Sequence, residues 1–205
     1  MGDHPQTLGP RLFGLPSPPR AWAWGLGFGL LFFAAFWLNS HSADWFSVVH
    51  NRISAVFLPA FVKVVAVMVS GGAGALGIFI GSLASGLFIT HDPISLALWH
   101  AALSTTGVLV AVHLMRWGLR LDVLPITLPM LLAVAVLASV TNAVLHGLFW
   151  SQWDDHVRGI GEIALMIFGD LTGVAVGFLL LRAVVLTTKK ARAWRASSIP
   201  NEPLN

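Results

Sequence analysis

No cysteine occurs anywhere in this 205-residue chain. That excludes disulfides, thiolate metal sites and thiol nucleophiles at once. Tyrosine is absent as well, although there are nine tryptophans. Charge is scarce: 10% of the residues are Asp, Glu, Lys or Arg, whereas ordinary soluble domains carry about 25%. The catalytic signatures of soluble enzymes are missing too. There is no Walker A loop, no GxSxG, no HExxH and no DxD-type phosphate-metal motif. No enzyme activity and no metal site are therefore expected, and nothing in the sequence names a cofactor.

Long apolar runs take the place of charge. The chain is 56% hydrophobic, with a mean hydropathy of +0.78. A soluble fold of this composition would need a core larger than a chain of this length can wrap. One all-α membrane domain, a polytopic helix bundle in the bilayer, accommodates it. The net charge of +3 gathers at the ends of the chain. That suits membrane orientation and not nucleic-acid binding.

Six spans of membrane length are expected, at about 21–39, 53–70, 73–90, 94–116, 123–149 and 160–186. Residues 1–20 contain five prolines and read as a disordered cytoplasmic tail. Residues 187–205 read as a basic cytoplasmic tail, too short for a kinase or cyclase module. The first apolar stretch exceeds the 7–15 residues typical of a signal-peptide core, so it is expected to be retained. Asp44–Asn51 mixes apolar and polar residues and reads as an interfacial segment. The break at Ser70-Gly71-Gly72 divides what would otherwise be one very long run.

Orientation follows from the basic residues. With the N-terminus inside, cytoplasmic segments collect nine Lys or Arg: Arg11, Arg20, Arg116, Arg120, Arg182, Lys189, Lys190, Arg192 and Arg195. The other side receives Arg52 and Arg158. Both termini are therefore placed in the cytoplasm of a bacterial inner membrane.

Two charges fall inside the apolar spans. Lys63 and Asp170 each lie about 15 Å from the outer end of their expected helices. A charge at that depth costs a few kcal/mol and is normally paired, hydrated or functional. The two are expected to form an ion pair or share a hydrated pocket. Thr105 and Thr106 fall at a similar depth and could complete its hydrogen bonding. A structural pair that fixes helix register and a ligand or proton site are both compatible with the pattern.

A second polar group gathers on the outer side. Six of the eight histidines map there: His41, His50, His91, His100, His146 and His156. Within the helices, His100, Asn142, His146 and Glu162 form an outer-face cluster. Such groups could bind a divalent ion or titrate, and a haem held by His100 and His146 is conceivable at equal depth. Polar residues at a wet interface explain them equally well. Small residues four apart mark packing faces: Gly25 and Gly29, Gly77 and Gly81, then Gly169, Gly173 and Gly177.

The stretch FLPAFVKVVAVMVSGGAGALGIFIGSLASGLF (57–88) resembles the early helices of the MASE1 membrane sensor domain. LASVTNAVLHGLFW (137–150) and FGDLTGVAVGFLLLRAVV (168–185) resemble that family's last helices, with Gly169, Asp170, Gly173 and Val174 in its G-D-x-x-G-V motif. The resemblance covers about residues 55–186. It implies a membrane sensor that acts on a separate partner, since the output domain usual in the family is not in this chain. Besides the lipid bilayer, other membrane proteins are the expected partners. Two other functions suit six short-looped helices. One is a small-molecule transporter or substrate-capture subunit; the other is an accessory subunit of a larger redox or photosynthetic membrane complex.

Overall fold

A computed structural model describes residues 18–42, 47–49, 53–153 and 160–197. Among these, six α-helices account for nearly all of the chain. They are α1 (Pro18–His41), α2 (Pro59–Ser70), α3 (Gly72–Phe88), α4 (Ile94–Leu119), α5 (Leu128–Trp153) and α6 (Ile160–Ser197). A two-stranded antiparallel ribbon, β1 (Ser47–Val49) and β2 (Ile53–Ser54), joins α1 to α2. Four helices, α1, α4, α5 and α6, are long and apolar enough to cross a membrane. The other two are shorter, at 12 and 17 residues. Most of the two expected tails and of the Asp44–Asn51 segment lie outside the described residues, as do His50 and His156.

The helix directions alternate. Gly86 meets Ala97, so α3 and α4 are antiparallel; Gly107 meets Asn142, so α4 and α5 are too. Gly147 meets Ile163 across α5 and α6. Gly25 and Gly29 face Gly77 and Gly81 in the same order, so α1 and α3 run parallel. The same holds for Phe57 and Phe61 against Gly173 and Gly177, which aligns α2 with α6. One end of the bundle, here the upper end, carries the ribbon and the α3–α4 and α5–α6 connections. The lower end carries Gly71, the α4–α5 connection and the start of α1.

The helix boundaries follow local chemistry. Gly71 has φ 55°, a conformation that a glycine adopts without steric cost, and it reverses the chain between α2 and α3 in one residue. The expected span 53–70 is helical only from Pro59 onward. A helix continuing upstream would drive the proline ring into the carbonyl of residue 55, four positions back. Ile53–Leu58 therefore leaves the helical path, and the ribbon takes its first two residues. At the other extreme, α6 continues past the expected end at 186 to Ser197. Ala, Lys and Arg dominate that stretch, and no glycine or proline interrupts it before Pro200.

Two apolar clusters hold the bundle. Val64, Val67, Val108, Ala111, Val134, Ala135 and Val174 join α2, α4, α5 and α6. Phe28, Phe32, Val62, Ala66 and Ile78 join α1, α2 and α3. The outward faces are rich in exposed Leu, Val, Ile and Trp.

Candidate functional site

The break before α2 positions the site. Ser54, Phe57 and Phe61 pack on Gly169, Gly173 and Gly177 so closely that none of these glycines has room for a Cβ. The Phe57 N–H donates to the Gly169 carbonyl at 2.9 Å. The Thr172 hydroxyl donates to the Ala55 carbonyl. The Leu58 N–H is held by Asn39 Oδ1 of α1 at 3.3 Å. The non-helical backbone is thus satisfied by side chains and carbonyls of α1 and α6. Gly169 lies about 14 Å along α6 from its start, so this irregular segment dips well below the upper end.

Lys63 and Asp170 sit just beneath it. They are 4% and 6% exposed. Lys63 Nζ donates to Ser104 Oγ at 3.2 Å and lies 5.4 Å from the centre of the Phe57 ring. Asn142 Nδ2 donates to Asp170 Oδ2 at 3.2 Å. Both charges line one cavity, together with Ser104, Ser139 and Asn142. Ala60, Val64, Val108, Ala138 and Val174 form its apolar wall. It has room for about one water molecule.

The expected direct ion pair is not formed. Lys63 and Asp170 share the cavity, but no nitrogen–oxygen distance between them is within 4.0 Å. Each charge instead takes a neutral partner from α4 or α5. The threonines also need correction. Successive residues of a helix turn by about 100°, and Ser104 takes the position facing the cavity. Thr105 is buried beside it but does not line the cavity, and its hydroxyl has no hydrogen-bond partner. Thr106 is turned further and is exposed.

Ser104 and Ser139 were not singled out from the sequence. Ser139 and Asn142 are three apart and share a helix face, which is a readable signal. Treating α5 and α6 as an antiparallel hairpin would also have set Asn142 opposite Asp170. Asn142 belongs to this cavity through its side chain and to the outer cluster through its backbone.

That outer cluster is aromatic. The His100 and His146 rings lie 5.8 Å apart, and Trp150 meets both edge-on at 6.0 and 5.5 Å. Phe149 packs on His100 at 6.0 Å. His146 Nδ1 is 3.0 Å from the Asn142 carbonyl. A carbonyl can only accept, so this nitrogen carries the proton. The Asp92 carboxylate lies 3.9 Å from His100 Nδ1. Glu162 stands, partly buried, in the first turn of α6. Among the described residues, no three His, Asp or Glu side chains are placed to hold a metal ion.

Glycines on the other seam also touch backbone. Gly77 and Gly81 of α3 lie against the Gly25 and Gly29 carbonyls of α1. No family model, no curated protein and no solved structure matches the chain.

Proposed function

We propose that this chain is a non-catalytic sensor or regulatory module of a bacterial inner membrane. In this reading its six helices cross the bilayer, both termini are cytoplasmic, and it signals through a separate partner. One observation carries the proposal: a buried ammonium and a buried carboxylate share a water-sized cavity without touching. Two charges serving only as a staple would close on each other, because direct contact best offsets the loss of hydration. Held apart, they form an element with two arrangements, open and closed. A ligand that favours one arrangement shifts the helices that carry it. The resemblance of the Gly169-Asp170-Gly173-Val174 segment to the MASE1 sensor domain supports the same reading.

The short α2 fits six crossings. Non-helical backbone at membrane depth is tolerated where it is buried in protein, and Ile53–Leu58 has its partners in α1 and α6. A transport or substrate-capture role is the second reading. Its support is the same broken helix beside buried charges, a device used for solute binding in transporters.

Gentle-detergent purification of the chain from its native membrane tests the proposal. A partner whose association changes in Asp170→Asn, with the helical signal intact, is the expected result. A stoichiometric partner indifferent to Lys63 and Asp170 would replace the sensor with an accessory subunit. Tags test the topology: one inserted at Asp154 is expected to be reachable from outside, and one at Arg120 is not.

A further inference from the structure

We propose that the cavity between α2, α4, α5 and α6 binds one small alkali cation of sodium size, taken up in exchange for the proton of the Lys63 ammonium. This rests on the reading of the cavity as the responsive element, and it names the ligand.

The donor set is made of hard oxygens. Asp170 supplies a carboxylate from α6, Ser104 a hydroxyl from α4, and Ser139 and Asn142 a hydroxyl and an amide oxygen from α5. Asn142 is 5% exposed, and its Oδ1 has no hydrogen-bond partner. Its Nδ2 is committed to Asp170, so Oδ1 is an acceptor without a donor. A buried acceptor of this kind calls for a cation or a proton donor. Oxygen ligands suit hard cations, and the cavity holds no imidazole or thiolate that would select a softer metal.

Charge and size narrow the choice. One carboxylate balances one positive charge, whereas a divalent ion would leave a net positive charge in a low-dielectric site. Space for about one water admits a bare ion and excludes organic solutes.

Lys63 makes the binding an exchange. An ammonium and an alkali cation beside a single carboxylate would repel each other strongly at this burial. Charge is conserved when the ammonium gives one proton to solvent as one cation enters, leaving a neutral amine. α4 and α5 bring no titratable group into the cavity. The nearest on α5 is His146, one turn above Asn142, and the nearest on α6 is Glu162, two turns above Asp170.

The experiment is a sodium titration of the purified full-length chain in detergent, with choline chloride holding ionic strength constant. Calorimetry reads binding, and a pH-indicator dye reads proton release. The expected result is one sodium bound and one proton released per chain, with affinity rising about tenfold per pH unit while Lys63 is protonated. Lys63→Met is expected to bind sodium with no such slope, and Ser139→Ala to bind several-fold more weakly. Absence of sodium binding between about pH 6 and 9 overturns the proposal. So does an unchanged pH slope in Lys63→Met. If sodium fails while a partner still responds to Asp170→Asn, the regulatory reading stands and the ion is wrong.

Discussion

Two glycine-lined seams hold this bundle, and they differ in what lies against the glycines. Along α1 and α3, Gly25 and Gly29 meet Gly77 and Gly81, helix against helix. Along α6, Gly169 and Gly173 meet the carbonyls of Ser54 and Phe57, which lie outside any helix. The first seam joins two surfaces that need nothing but closeness. The second also supplies hydrogen bonds, from the Gly169 carbonyl and the Thr172 hydroxyl. It frames a cavity with two buried charges, whereas the first frames Phe28, Phe32 and Ile78. The same sequence signature thus serves plain packing in one place and the support of a functional break in the other.

Four substitutions separate the seams. The largest effect is expected at the charges. Lys63→Ala alone and Asp170→Ala alone should each cost about 3–5 kcal/mol, because each strands a buried charge. The double variant should cost less than either single one, as read by thermal unfolding in detergent. A double variant as unstable as the two losses added together would show that the charges do not sense each other. Next comes Gly173→Val, which pushes a side chain into the Phe57 carbonyl and should cost about 3 kcal/mol. Gly77→Ala should cost about 1–3 kcal/mol, and it should leave Asp170-dependent behaviour intact where Gly173→Val does not. A partner or ligand response lost equally in both would erase the distinction between the seams. Thr172→Val is smaller, at about 1 kcal/mol for the lost hydrogen bond to Ala55. The smallest is Thr106→Val, expected to stay within about 0.5 kcal/mol, because Thr106 faces outward.

Much of the architecture was legible before any coordinates. The helix starts at Ile94 and Ile160 and the reversal at Gly71 coincide with the expected breaks. These are places where the apolar run itself is interrupted. The start of α2 was not legible, because Ile53–Leu58 is as apolar as the helix that follows it. There the constraint is one proline ring and a partner surface 112 positions away on α6. The start of α5 moved for a related reason: Pro125 delays it, and helix begins at Leu128 rather than 123. At the site, depth counting placed Lys63 and Asp170 at one level, and the structure puts both on one cavity. Rotation was beyond its reach. In a helix that is apolar nearly all round, periodicity does not say which of Ser104, Thr105 and Thr106 faces inward. Only the packing of α2 against α4 decides that.

The lean of Ala55 on Thr172 spans 117 residues of chain. At roughly 5–20 residues per second, synthesis passes Ala55 many seconds before the helix that supports it exists. Until α6 emerges, the backbone before α2 has no carbonyl or hydroxyl from that helix to meet. The bundle is therefore a structure whose first internal break is closed by its last helix, and the charged cavity beneath cannot be assembled until the chain is almost entirely made.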